Sequence, residues 1–267
     1  MNAPDLFRVN AFTDRPFGGN PAAVCLPEKI VSTEYLQAMA TDINLSETAF
    51  LWPIEEGFRL RWFTPKHEVD LCGHATLASA KVLWETGRCE QDQVIRFSTK
   101  SGWLEARQEA GRIRLDFPEE HVSAIPIPEW VTQAFPGEEL VYVGKNRMDF
   151  LVEIKGESNV RSMTPAHEVL ATVPSRGIIV TAQAETEGLD FVSRFFAPAH
   201  GIEEDPVTGS AHCALAPYWQ EKLGKNPMEA FQASDRGGYL RVEVKGNRVL
   251  LGGNAVLTAQ GNWVWGD

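Results

Sequence analysis

The sequence predicts an α+β protein of two similar halves, each a sheet curled around one buried helix. Three observations carry this. One passage occurs twice: Arg61-Trp62-Phe63-Thr64-Pro65 leads to Asp70-Leu71-Cys72-Gly73-His74-Ala75-Thr76-Leu77-Ala78, and Arg194-Phe195-Phe196-Ala197-Pro198 leads to Glu204-Asp205-Pro206-Val207-Thr208-Gly209-Ser210-Ala211-His212. Each copy reads as a strand, a polar loop and an apolar helix. The two helices are apolar on nearly all sides, through Ala75, Leu77, Ala78, Ala80, Val82, Leu83 and Trp84 in the first, and Ala211, Cys213, Ala214, Leu215, Ala216, Tyr218 and Trp219 in the second. A helix apolar all round is buried all round, and strands lie on either side of each in sequence, ready to cover it.

The elements follow in order. Leu6 to Phe12 and Ala22 to Leu26 read as strands, separated by the turn residues Pro16-Phe17-Gly18-Gly19-Asn20-Pro21. Ser32 caps a helix over Thr33 to Thr41. Glu47 to Trp52 and the alternating Phe58 to Phe63 are strands, and His74 to Glu85 is a helix stopped at Gly87. Strands are expected over Val94 to Ser98, Gly102 to Arg107 and Arg112 to Phe117. Pro118 to Pro136, rich in Pro and charge, reads as a connector. The second half has strands at Leu140 to Val143, Asp149 to Ile154, Gly177 to Ala182 and Phe191 to Phe196, with a helix over Thr164 to Ala171. Gly209 to Leu223 is the second buried helix, ended by Gly224, and Pro217 inside it should bend it or remove a hydrogen bond. A hairpin joins Tyr239 to Val244 with Arg248 to Leu251, and a last strand is expected over Trp263 to Trp265.

A chain of 267 residues holds one large domain or two of ordinary size, and the duplication favours two. We place them at 1–117 with 256–267, and at 118–255. A content of 43% apolar and 23% charged residues is that of a globular protein. The formal charge of −11 argues against nucleic acid or an anionic membrane as partner. No run of about 18 apolar residues is present to span a membrane, and the first residues do not read as a signal peptide. Cys25, Cys72, Cys89 and Cys213 lack framework spacing and read as reduced thiols, which points to the cytoplasm.

Some polar residues are not required by the apolar pattern. Glu47 heads an apolar strand, where burial would favour its protonated form, as a base attacking a C–H bond requires; the alternative is an exposed strand-edge Glu bonded to Ser46 or Thr48. Gly73-His74 opens the first buried helix, where free N–H groups bind anions and His74 can reach a carbonyl or carboxylate; the alternative is a capping or satisfied interior His. Thr208-Gly209-Ser210, with Asp205 upstream, offers hydroxyls, N–H donors and a carboxylate at the second helix start; the alternative is ordinary N-capping. Cys72, His74, His200, Glu203, Glu204, Asp205, His212 and Cys213 include every usual metal-ligand type, but no ligand spacing links them, and no metal is expected. There is no P-loop and no nucleophile elbow.

These residues resemble the PhzF family, relatives of a phenazine-biosynthesis isomerase with the diaminopimelate epimerase fold. The resemblance spans the chain, from Phe7-Arg8-Val9-Asn10-Ala11-Phe12 and Gly18-Gly19-Asn20-Pro21-Ala22 to Gly252-Gly253-Asn254-Ala255-Val256. Its most specific parts are Ser46-Glu47-Thr48-Ala49-Phe50, Cys72-Gly73-His74-Ala75-Thr76 and Asp205 through Ala211. It implies two similar domains, each a mostly antiparallel sheet around a central helix, with the ligand between them. It implies Glu47 as the proton-shuttling acid/base, with His74, Asp205 and Ser210 as companions. Gly73 and Gly209 would hold the substrate carboxylate by their backbone donors, with Asn20 and Thr208 among the substrate-binding residues. In the characterised phenazine enzyme the reaction moves a double bond of dihydro-hydroxyanthranilate without a cofactor. Distant epimerase relatives use two cysteines as bases; Cys72 stands at the first position, while the second half has no thiol near Pro206. The expectation is therefore a cofactor-independent isomerase acting on a small carboxylate, as a cytoplasmic homodimer. The alternative is a catalytically silent carboxylate-binding or scaffold protein of the same fold.

Overall fold

A computed structural model describes residues 4–264. The chain forms two compact units, one up to Asp116 and again from Gly252, the other Phe117–Leu251. Each is an α+β unit with a mostly antiparallel sheet and one long buried helix.

The first unit contains strands β1 Asp5–Ala11, β2 Asn20–Leu26, β3 Glu47–Ile54, β4 Gly57–Phe63, β5 Glu68–Val69, β6 Ile95–Thr99, β7 Gly102–Glu109 and β8 Arg112–Pro118, with helices α1 Thr33–Ile43 and α2 Gly73–Glu85. The C-terminal strand Ala255–Asn262 returns to pair with β1. From that strand the order runs through β1, β2, β3, β4, β6 and β7 to β8, antiparallel except at β2–β3 and β4–β6. Helix α2 packs against β1, β2, β3 and the C-terminal strand. Two of its buried polar side chains turn inward to their own helix: Thr76 Oγ1 donates to Cys72 O at 2.5 Å and Ser79 Oγ to Ala75 O at 2.7 Å.

Side-chain alternation along β3 sets the site. Phe50 and Trp52 pack with Leu36, Met39 and Ala40 of α1. Glu47, Ala49 and Leu51 therefore share the opposite face, the one α2 covers. With both faces covered, β3 is a continuous buried run from Thr48 to Trp52.

The second unit contains β9 Ser123–Ala124, α3 Glu129–Ala134, β10 Leu140–Lys145, β11 Asp149–Ile154, α4 Glu157–Ser162, α5 His167–Leu170, β12 Gly177–Gln183, β13 Phe191–Phe196, α6 Gly209–Leu223, β14 Met228–Gln232, β15 Gly238–Lys245 and β16 Arg248–Gly253. Pairing runs β9–β10–β11–β12–β13–β14–β15, parallel at β11–β12 and β13–β14. Ile178, Val180 and Ala182 of β12 cluster with residues of α3, α4 and α5. The other face of β12 meets α6, where Trp219 Nε1 donates to Thr181 Oγ1 at 3.0 Å.

Several expectations change. Residues 118–136 are more than a connector, since they carry β9 and α3. The helix expected over Thr164 to Ala171 is only the single turn α5, because Pro165 and an extended Ala166 delay its start. Helix α4 has Val160 as its one buried apolar residue, too little for a periodic signal. Strand β14 places a polar Gln232 at a fully buried position. The last strand is Ala255–Asn262, whose outer residues are exposed and held by the ladder to β1. Trp263 and Val264 are outside that strand, and Trp265 lies outside the described residues. Pro217 sits in an unbroken α6; it cannot donate to Cys213 O, and that carbonyl accepts Glu120 N–H at 3.0 Å instead. Among the described residues no helix is long and apolar enough to cross a membrane.

Candidate active site

Helix starts normally leave backbone N–H groups to be satisfied by a cap. Ser32 does this for α1, accepting from Tyr35 N at 3.3 Å. Neither central helix has such a cap: the N-cap residues Cys72 of α2 and Thr208 of α6 make no side-chain capping bond. Donors at both helix starts are thus left to other partners, which suits an anionic group.

In the first unit, β3 delivers Glu47 to the second residue of α2. Glu47 Oε2 lies 3.1 Å from His74 Nε2, with both side chains largely buried. The two atoms are close, yet neither completes an aligned hydrogen bond within the protein. Across the imidazole, Asn20 Nδ2 lies 3.3 Å and Cys72 Sγ 3.6 Å from Nδ1. Burial by itself favours neutral imidazole; the adjacent Glu47 carboxylate opposes it and prevails, holding the His74 pKa well above its usual value. Burial, reinforced by Glu47, pushes the Cys72 thiol up, away from thiolate. The arrangement is a buried imidazole flanked by a carboxylate on one side and a thiol on the other.

Glu47, Cys72 and His74 bring three donor atoms within 4.8 Å of one another. Sequence spacing could not show this cluster, because Glu47 comes from another strand. Within the cluster the sulfur lies by Nδ1 and the carboxylate by Nε2.

In the second unit the polar groups are tied together. Thr208 Oγ1 donates to Asp205 Oδ2 at 2.5 Å. The buried Gln232 accepts from Thr208 N at 2.8 Å and donates to Asp205 O at 2.7 Å. Ser210 Oγ accepts from Arg176 Nη1 at 2.7 Å. The same guanidinium grips Asp149, with Nε donating to Oδ1 at 2.9 Å and Nη2 to Oδ2. His212, one turn into α6, has its Nδ1 2.8 Å from Thr208 O and stacks on Phe191. Burial lowers its pKa to about 4.

The duplication extends to side-chain geometry. Arg61 grips Glu68 through Nε at 2.7 Å and Nη2 at 2.9 Å; Arg194 grips Glu204 through the same atoms at 2.7 and 2.8 Å. Each arginine also lies over a phenylalanine two residues on, Phe63 at 5.0 Å and Phe196 at 4.9 Å. These clamps tie each pre-helix loop to its strand. Counting from the helix starts, Cys72 matches Thr208, Gly73 matches Gly209 and His74 matches Ser210. The counterpart of Cys72 is therefore Thr208, two residues beyond the Pro206 region where the sequence comparison placed it.

The structure thus brings Glu47, His74, Gly73 and Asn20 together in one unit, and Asp205, Thr208, Gly209 and Ser210 in the other. Asn20 is fully buried, and its amide meets His74. Sequence reasoning missed Arg176, Asp149 and Gln232. Their one signal was polarity at the edges of apolar strands, which loops show everywhere.

The chain matches the PhzC-PhzF family, phenazine biosynthesis-like protein, over residues 9–261. It is 48% identical to an uncharacterised isomerase of Halalkalibacterium halodurans, an alignment covering 96% of this chain and 97% of that one. The fold superposes on a PhzF-family crystal structure from Enterococcus faecalis with a TM-score of 0.94, at 40% identity, covering 99% of this chain and 100% of the other. A probable proline racemase from Agrobacterium radiobacter shares the fold at 15% identity, with a TM-score of 0.62 over 98% of this chain and 93% of the other. By sequence and fold alike the chain belongs to the PhzC-PhzF family of phenazine biosynthesis-like proteins.

Proposed function

We propose that this protein is a cofactor-independent isomerase that moves a proton, and with it a double bond, on a small carboxylate substrate. The observation that carries the reading is the Glu47–His74 pair: two polar atoms 3.1 Å apart, largely buried, and without aligned partners of their own. A carboxylate so placed can take a proton from a carbon acidified by conjugation and return it to another carbon on the same face. His74, biased towards its cation, stabilises the carboxylate after proton return and the negative charge that develops on the substrate. Asn20 can present its NH2 to a neutral Nδ1 or, turned over, its oxygen to a protonated one, so one residue serves both states. In this reading the start of α6, where no side chain caps the helix and Ser210 and Asp205 lie, is assigned the holding of a substrate carboxylate. The names of the relatives point to phenazine-like chemistry, and we take a small cyclic, amino-bearing carboxylate as the substrate class.

The test is solvent deuterium incorporation, followed by proton NMR, over a panel of small cyclic unsaturated carboxylates. Wild type should exchange a carbon-bound proton of at least one of them. Glu47→Gln should slow that exchange by roughly 10²–10⁴-fold while still binding the same compound. Full exchange by Glu47→Gln would remove Glu47 as the base.

A further inference from the structure

Strand register within each unit identifies a residue next to the topological counterpart of Glu47. Thr48 of β3 pairs with Phe63, and Ile178 of β12 pairs with Phe196. In the parallel ladders, Glu47 is opposite Ala22 and Gly177 is opposite Asp149. Gly177 is therefore the counterpart of Glu47. A side chain there would displace the Phe195 ring, since a Cβ on Gly177 would lie 2.1 Å from Phe195 Cζ. The adjacent residue is Arg176, and it reaches the second residue of the central helix, Ser210, as Glu47 reaches His74. One unit sets an anion on that helix position and the other sets a cation.

We propose that Arg176 is the positioning residue for Ser210, fixing its hydroxyl as a hydrogen-bond donor to the substrate carboxylate; this rests on the function proposed above. A guanidinium has only donors. With Nη1 donating at 2.7 Å, Ser210 Oγ is committed as an acceptor on that side, and its own O–H is left to point elsewhere. Arg176 cannot swing away easily, because Asp149, only 1% exposed, takes Nε and Nη2 in a bidentate grip. Ser210 then cannot act as a base: it offers a proton to an anion, with a cation behind it.

Two measurements test this. In protein labelled with ¹⁵N-arginine, the Arg176 guanidinium should show resolved, slowly rotating Nη groups, and Ser210→Ala should shift the Nη1 signals; an unmoved spectrum overturns the proposal without any ligand. Binding of anthranilate (2-aminobenzoate) by calorimetry is the second. Ser210→Ala should weaken it about tenfold, Arg176→Met about as much, and the double variant no more than about twofold beyond Ser210→Ala alone, because the two act as one unit. Arg176→Lys keeps a charge but cannot both grip Asp149 in two places and reach Ser210, so it should not restore affinity; it also stands in should Arg176→Met fail to fold. A tenfold loss in Ser210→Ala with none in either Arg176 variant overturns the positioning role and leaves the carboxylate reading intact. Absence of anthranilate binding by wild type counts against that reading, and the guanidinium spectrum then decides the Arg176 claim alone.

Discussion

His74 and His212 each lie in the first turn of the central helix of their own unit, and both are buried. Their ionisation is driven in opposite directions. Among the described residues His212 meets a carbonyl and an aromatic face: Thr208 O at Nδ1, and the Phe191 ring. Burial therefore wins, and its pKa falls to about 4. His74 suffers the same burial, yet the neighbouring Glu47 carboxylate outweighs it. Burial alone does not decide what a histidine does in this fold; the nearest anion does. The position within the turn separates them. His212 matches Thr76, and both use their side chains on the carbonyl of the N-cap residue, Thr208 O and Cys72 O. That position is structural in both units, and the second helix residue is where they diverge.

The largest expected effect beyond the catalytic variants sharpens this contrast through acid stability. The folded pKa of His212, about 4, lies below the unfolded value near 6.5. The unfolded chain thus binds the extra proton first, and folding stability falls as pH drops from about 6.5 to 4, by about 3 kcal/mol in all. A variant such as His212→Asn, which keeps a donor for Thr208 O, should lose that segment of the pH dependence. Urea unfolding followed across this range checks it, and equal slopes in both proteins would mean that His212 is not held neutral by burial.

A smaller effect compares the duplicated clamps. Glu68 is held at a pKa of about 2, chiefly by the hydrogen bond from Arg61. Its depressed pKa contributes stability above about 4.5, lost as pH falls towards 2. Because both clamps are partly exposed, Glu68→Gln and Glu204→Gln should each cost about 1 kcal/mol at neutral pH. Similar losses in chemical denaturation would show that the duplicated passages are held in the same way; a large inequality would break that equivalence.

Much of this was readable from residue order because the duplication is local. The passages from Arg61 and Arg194 each contain strand, loop and helix, and the all-round apolar helices announce their burial. Glu47 and His74 stood out as polar residues placed where the apolar pattern did not need them. Arg176 was not legible, because Pro174-Ser175-Arg176-Gly177 reads as a turn, and only the parallel register of β11 with β12 brings it to Asp149. Gln232 was hidden in a strand whose buried face includes a polar side chain, with its partners on a distant loop. The tolerance of Pro217 depends on Glu120, a residue far from it in sequence. Helix α4 and the C-terminal strand were missed for a common reason: neither shows an apolar period of its own.

The central claim is that the Glu47 carboxylate holds His74 in its protonated form, and imidazole NMR titration of His74 in the ligand-free protein tests it most directly. His74 should remain protonated well above pH 6.5 in wild type and should titrate at distinctly lower pH in Glu47→Gln. A wild-type His74 that is already neutral at pH 6.5, or one whose titration does not change in Glu47→Gln, would contradict the account.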